Sequence, residues 1–495
     1  MALLPIQIPP GVYRNGTELQ SAGRWFDANL VRWYENTLRP VGGWRRRGSA
    51  SAIQGIARGL LAWEDNDADP WIAVGTAAKL YVYRVDGAIA DITPNSFTTG
   101  IVDAVSKTGY GYSVYGSQAY GVARTNLSAP IPATTWSLDA WGEYLLACSN
   151  ADGKIYEWQL DFNTPTKAAV LTNAPIDNKA VLVTAERFVF ALGAGGNPRK
   201  VQWSDQENNN VWTPTTLNQA GDFELVTPGQ LLAGKRVRGI HLLWTDVDCH
   251  SAQYIGQPFV YGFERIGNGC GLIGAQAVAI VADTSAFWMS SSGFWMYDGV
   301  VKPLQSDVSD YVFRNMNISQ ASKVYAVHNS QYGEVWWFYP SATTNEIDSY
   351  VFYNYREGHW NIGRLERSCG TGPGAFDKPL MMGLDGFLYE HEVGLLQNAS
   401  DVYAETGPVQ IGAGENVMHV REVIPDELNQ GDVELLFSTK FYPNGAGQDF
   451  GPYSTANPTP VRFTGRQIKM KIKQTTPDSW RVGTMRLDAV AGGRR

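Results

Sequence analysis

Long apolar runs are missing from this chain. The best candidate, AQAVAIVA at Ala275–Ala282, falls far short of the roughly 18 residues a membrane-spanning helix needs, and it reads as a buried strand. Stable membrane insertion is therefore not expected. Cysteine is scarce: Cys148, Cys249, Cys270 and Cys369 are far apart and form no C-x-x-C pair. This excludes a zinc ribbon or a disulfide framework and predicts free thiols packed in a core, in a protein made in a reducing compartment. The six histidines are dispersed and no G-x-S-x-G elbow occurs, so the common metal and nucleophile constellations have no sequence support. An excess of positive charge is also lacking. Against 48 acidic residues stand 40 Lys and Arg, a formal net charge of -8, which excludes a surface that grips nucleic acid over its whole extent by counterion release. The start, MALLPIQIPPGVYRNG, has neither a basic leader nor an apolar stretch of useful length, so a signal peptide is not expected there.

What the chain has in abundance are turn formers and aromatics: 52 glycines, 25 prolines, 24 tyrosines and 17 tryptophans. That composition favours strands and tight turns over helices. One pattern recurs, an apolar strand, a Gly/Ser/Asp turn, then alternating aromatics. It is seen in WIAVGTAAKLYVY (71–83), YLLACSNADGKIYEW (144–158), FWMSSSGFWMYDGVVKPL (287–304) and LMMGLDGFLYEH (380–391). Looser relatives are RFVFALGAGGNPRKVQW (187–203), HLLWTDVDCHSAQYIG (241–256) and EVWWFYPSATTNEIDSYVFYNY (334–355). Steps of about 40 to 55 residues match the length of a four-stranded propeller blade, whose faces are buried only by its neighbours in a ring. The expectation is an all-β chain: a β-propeller of about six to seven blades over residues 49–395, with a small C-terminal β-sandwich-like domain over 396–495. Residues 1–48 read as an extended N-terminal arm with the first strands. The Tyr/Gly-rich stretch 108–124 reads as an inserted, exposed loop, and 306–323 as a short helix between blades. The hairpin aromatics, Trp295 among them, are expected in the core between blades.

Several stretches imitate sites. Asp65, Asp67 and Asp69 alternate as in a calcium loop, but Pro70 occupies the position where the loop needs Gly and Thr76 the position of its closing Glu, so a solvated turn is expected. GAGGNPRK at 193–200 lacks the G-K-[ST] ending of a phosphate loop and reads as a hairpin loop. In DVDCH at 246–250 strand alternation sends neighbours to opposite faces, against a metal site. Asp152-Gly153 and Asp385-Gly386 lack the Asp-box spacing and the Thr-Trp that follows it in propeller glycosidases. No catalytic residue, cofactor or metal is expected. Basic residues cluster at Arg45–Arg47, at Lys235, Arg236 and Arg238, and at Lys469, Lys471 and Lys473. The last three share one strand face while Ile468, Met470 and Ile472 take the other, which makes the lysine stripe the candidate for docking a partner, against the alternative of a solvated face.

The segments GVYRNGTELQSAGRWFDANLVRWYENTLRPVGGWRR, VQWSDQENNNVWTPTTLNQAGDFELV, SSGFWMYDG, GEVWWFYP, YNYREGHWNIG and SWRVGTMRLDAVAGGRR together resemble the nozzle, or tail-hub, proteins that close the tails of short-tailed bacteriophages. The resemblance is to patterns spread over almost the whole chain. It implies a non-enzymatic virion protein, assembled in the host bacterial cytoplasm. Six copies would form a ring beneath the adaptor on the portal, pass viral DNA through the ring's lumen and hold a fibre or spike. The acidic balance is compatible with that role, since a basic lumen would retain a polyanion that must slide. A carbohydrate-binding or glycan-hydrolysing propeller acting at the cell surface is the alternative.

Overall fold

The computed structural model describes residues 3–48, 51–105, 131–162, 166–395, 401–410 and 414–493. Seven four-stranded antiparallel sheets follow one another around an axis and form a β-propeller. Each of the seven recurring hairpins is the second and third strand of one blade. In blade 1, Pro70–Thr76 pairs with Leu80–Tyr83, and in blade 2, Tyr144–Ser149 pairs with Ile155–Trp158. Val189–Leu192 with Lys200–Trp203, Ile240–Thr245 with Asp248–Gly256 and Ser285–Ser290 with Gly293–Tyr297 serve blades 3 to 5. Glu334–Pro340 with Ile347–Asn354 and Leu380–Met382 with Leu388–His391 serve blades 6 and 7. The insertion expected near 108–124 lies outside the described residues.

Alternation explains how blades stack. Side chains of a blade strand point to the two neighbouring blades, so both faces must be apolar. Trp136, at the start of the inner strand Trp136–Trp141 of blade 2, shows the fit. Its ring lies where a Cβ on Gly75 would sit 2.3 Å from it, so only glycine fits there. Its indole donates to the Thr76 carbonyl at 2.7 Å. The hairpin at 285–297 corrects one expectation: Phe294 is 2% exposed and packs at 4.5 Å from Trp360, whereas Trp295 is only half-buried. The blade phase is shifted by one residue, because Phe294, opposite Met289, faces blade 6. The inter-blade segment forms a helix at Ser309–Arg314 and a 3-10 turn at Ile318–Lys323, with Val308 and Val312 buried.

The ring is closed by the N-terminal segment. Blade 7 takes its outermost strand from Trp44–Arg47, which pairs antiparallel with Leu388–His391. The basic cluster there is used in the seam: Arg45 pairs with Glu390 at 2.8 Å, while Arg46 and Arg47 lie over the rings of Phe387 and Phe376.

A second module packs two sheets face to face. One contains Leu3–Pro5, Arg486–Ala491, Met418–Ile424 and Thr459–Gly465, and the other Trp25–Asn29, Tyr403–Thr406, Gln467–Gln474, Val433–Lys440 and Gln448–Ser454. Inward residues Phe437, Met470, Val420 and Phe463 fill the space between them, with the Phe437 and Phe463 rings 4.7 Å apart. The chain thus begins in this sandwich, closes the propeller and returns to the sandwich.

Candidate functional site

Lys469, Lys471 and Lys473 do project from one face, with Ile468, Met470 and Ile472 buried on the other. Their strand is central in its sheet, between Tyr403–Thr406 and Val433–Lys440, and both neighbours supply carboxylates. Lys469 pairs with Glu18 at 2.8 Å and Glu405 at 3.2 Å and lies over Phe26; Lys471 lies over the Tyr403 ring and is 3.9 Å from Glu405; Lys473 meets Glu434 at 3.2 Å. Partial burial acts to raise the pKa of Glu18, but Lys469 and Lys440 outweigh it and hold the carboxyl below its ordinary value. Cross-strand opposite charges of this kind stabilise a sheet modestly. The stripe is therefore a charge-compensated face, and its lysines carry less free positive charge than the sequence suggests.

The other imitations resolve into local structure. The Asp65 carboxylate caps its own turn, accepting from the backbone of Asp67 and Asp69 and from the Trp71 indole. The glycine-rich stretch closes the hairpin of blade 3. Asp152 and Asp385 each accept the hydroxyl of a tyrosine four residues on, Tyr156 and Tyr389, at 2.5 Å, so in both hairpins the Asp-Gly turn is tied to the strand that follows. Burial pushes the thiol of Cys270 up to about 11 and that of Cys369 up to about 12, as for inert packing cysteines. Among the described residues no group of three or more His, Cys, Asp or Glu is placed to hold a metal ion.

Sequence reasoning missed the joint between the two modules. The hairpin Val31–Tyr34/Thr37–Pro40 inserts a buried guanidinium, Arg32, between blades 6 and 7. Its Nε is 3.0 Å from Glu334, and Nη1 donates to Glu392 at 2.9 Å. Tyr332 covers the guanidinium at 3.7 Å. Further donors reach the carboxylates: the Trp336 indole on Glu334, and Asn329 and the Gly42 amide on Glu392. One cation faces two carboxylates. Burial pushes Glu334 up to about 7, Arg32 opposing and Glu392 adding to the rise. Next to it the Tyr350 hydroxyl accepts from the Leu30 amide and Asn361 donates to the Val31 carbonyl. Nothing in the local pattern of LVRWY marks Arg32 as buried, since its partners lie more than 300 residues away.

Two concavities remain. The propeller axis holds a cavity of about 280 Å³ lined by the inner strands of six blades and by Lys179, which leads into the inner strand of blade 3. Gln276, leading into blade 5, reaches across it to donate to the carbonyls of Arg58 in blade 1 and Trp136 in blade 2. An open depression beside blade 5 is lined by Trp295, Phe313, Pro303, Asp310 and Arg314. Its carboxylate, Asp310, is paired with Arg314 at 2.8 Å.

No protein-family model matches the chain, and no curated protein matches it. Among solved structures it is similar to virginiamycin B lyase from Staphylococcus aureus, at 7% identity and a TM-score of 0.40 over 68% of this chain and 95% of that one. It is also similar to BamB from Moraxella catarrhalis, at 9% identity and a TM-score of 0.38 over 79% and 99%. PorZ of Porphyromonas gingivalis matches at 8% identity and 0.38 over 83% and 46%. These likenesses go no further than the propeller fold.

Proposed function

We propose that this chain is a structural subunit of a short phage tail, the nozzle. In this reading six copies form a ring below the portal adaptor, and viral DNA is retained in and ejected through the lumen between them. The observation that supports the reading most is where the phage-like segments fall. GVYRNG…GGWRR and YNYREGHWNIG build the joint through Arg32, Asn29 and Asn361, with Asn29 also holding the Asp401 carbonyl at 2.6 Å. Two of the six segments that carry the resemblance thus tie propeller and sandwich into one body, as a subunit under load requires. The DNA path in this proposal is the ring's lumen; the propeller axis, crossed by Gln276, is far too narrow for a duplex.

In this reading the isolated chain is a monomer or a weak associate, and the adaptor, by presenting several docking sites, raises the effective concentration and closes the ring. Electron microscopy of the chain mixed with its adaptor tests this: six-fold rings are expected, and a persistent monomer overturns it. The lysine stripe is the proposed partner face. Reversing Lys469 to Glu would set like charges beside Glu18 and Glu405, so Lys469→Gln, Lys471→Gln and Lys473→Gln together separate docking from folding. Normal incorporation of that variant into tails removes the stripe from the proposal.

The depression at Trp295 favours the second reading, a glycan-binding propeller, since a half-buried aromatic beside polar groups suits a sugar face. A single ion-paired carboxylate supports binding there and not hydrolysis, which needs two. Oligosaccharide-dependent quenching of tryptophan fluorescence that is lost in Trp295→Ala would favour this reading over the nozzle.

A further inference from the structure

The third and fourth strands of blade 4 overshoot their blade. Asp248–Gly256 and Val260–Asn268 are nine residues each, against six for the second strand, Ile240–Thr245. Pairing of the second strand with the third stops at His241 and Ala252, whereas the third pairs with the fourth as far as Gly256 and Val260. The residues beyond Ala252 therefore form a two-stranded finger that extends about 10 Å past the second strand, at about 3.3 Å per residue. Its base is stiff: the Tyr254 hydroxyl donates to Gln219 at 3.3 Å, and the Tyr254 ring packs against Phe188 and Tyr261. Its tip is uncovered, with Ile255 55% and Phe259 74% exposed. No charged residue occurs from Ser251 to Phe263. The same connection, from third to fourth strand, exposes Leu217 in blade 3 and Val300 in blade 5, so an apolar rim flanks the finger. Exposed apolar surface of this kind marks a contact.

In an antiparallel blade the connections from first to second and from third to fourth strand lie on one face of the ring. Those from second to third strand, and from blade to blade, lie on the other. The depression at Trp295 is built from the second-to-third turn of blade 5 and from the linker to blade 6, so it opens on the face opposite the finger. It offers about 630 Å³, with Trp295 and Phe313 half-buried in its wall. Among the described residues its lining has two charges, Asp310 and Arg314, and these pair with each other at 2.8 Å. Copies of a chain with a net charge of -8 repel one another; an uncharged finger and a charge-balanced hollow can meet without adding to that repulsion. Lying on opposite faces, the two can meet only between copies, head to tail, which is the kind of contact that a ring repeats. An aromatic tip buries about 150 to 250 Å², far below the roughly 1,200 Å² of a stable interface. The contact alone is therefore weak and closes where the adaptor raises the effective concentration.

We infer that the finger of blade 4, led by Phe259, seats in the Trp295 hollow of a second copy of this chain. The inference rests on the nozzle reading, for which it supplies a contact between copies. The test places Gln257→Cys in the finger and Ser291→Cys at the rim of the hollow, both exposed positions, in a chain whose four native cysteines are buried. Chain and adaptor are mixed, treated with a short bismaleimide, and run on a denaturing gel, with electron microscopy of the same samples. The double variant should give a ladder up to six chains, and a mixture of the two single variants should give dimers. Neither single variant should cross-link alone. Phe259→Glu should melt like the parent, since its side chain is largely exposed, and should raise the protein concentration needed for rings at least about tenfold, as loss of a central aromatic anchor does. If it melts below the parent, Phe259→Ser takes its place. Rings that form without the ladder, or form equally well from the Phe259 variant, overturn the inference and leave the nozzle reading standing. Cross-linking by Gln257→Cys alone, or to the adaptor, assigns the finger elsewhere and overturns it too, as does oligosaccharide quenching at Trp295 without a ladder. If the parent forms no rings, the nozzle reading fails, and absence of the ladder at high protein concentration then overturns the contact as well.

Discussion

Replacing Arg32 with methionine is the sharpest test of the joint. The guanidinium is 1% exposed, Glu334 0% and Glu392 7%. The substitution keeps a similar apolar stem but leaves two buried carboxylates without their cation. Removing one partner of a buried ion pair costs about 3 to 5 kcal/mol, mostly from the charge left behind. The loss should depend on pH. In the parent, Glu334 already lies at about 7 against an ordinary 4.5. A folded-state pKa raised in this way makes the carboxyl group favour the folded state least at high pH: its contribution is full below about 4.5 and falls as pH rises through about 7. Without Arg32 the Glu334 carboxyl rises further, so Arg32→Met should be closest to the parent near pH 5 and furthest from it near pH 8. The assay is urea unfolding followed by tryptophan fluorescence at both pH values. Combining Arg32→Met with Glu334→Gln and Glu392→Gln should recover most of the loss, because the stranded charges are gone while the hydrogen bonds to Trp336, Asn329 and Gly42 retain acceptors. A single variant within about 1 kcal/mol of the parent at pH 8, or a triple variant no better than the single, would refute the view that the joint depends on charge compensation.

Phe294→Ala should cost about 3 to 5 kcal/mol and Trp295→Ala clearly less, read from the same urea transitions, since only the first is fully buried; the reverse order would restore the blade phase inferred from alternation alone. All four cysteines should resist a thiol reagent in the native protein and react in denaturant, so rapid native labelling would contradict their burial. Deleting residues 1–48 removes the outer strand of blade 7 and one strand from each sandwich sheet. The truncated chain should therefore be recovered insoluble or with a strongly reduced strand signal in circular dichroism, and a cooperative melt like that of the full chain would refute the lacing. Glu334→Gln alone should be at least as stable as the parent at pH 8 and should flatten its stability profile between about pH 5 and 8.

The repeating hairpins were legible because blade packing is a local problem repeated seven times. Each strand pair must be apolar on both faces and each turn needs Gly, Asp or Ser, so FWMSSSGFWMY and LMMGLDGFLYEH announce themselves within a dozen residues. Alternation in QIKMKIKQ likewise determined which residues of that strand are buried. The phase of a blade was less legible: Phe294 and Trp295 are equally aromatic, and only the neighbouring blade, through Trp337 and Trp360, selects which one is buried. Ring closure and compensation were not legible, because both are decided by partners distant in sequence. Trp44–Arg47 looks like a basic surface patch until Leu388–His391 is placed beside it. Lys469 looks like a free cation until Glu18 and Glu405 meet it, and Arg32 looks like an exposed strand residue until Glu334 and Glu392 enclose it. Side-chain pattern along a strand encodes which face is apolar; the charge of a face depends on what the fold brings against it, and that was decided only by the tertiary structure.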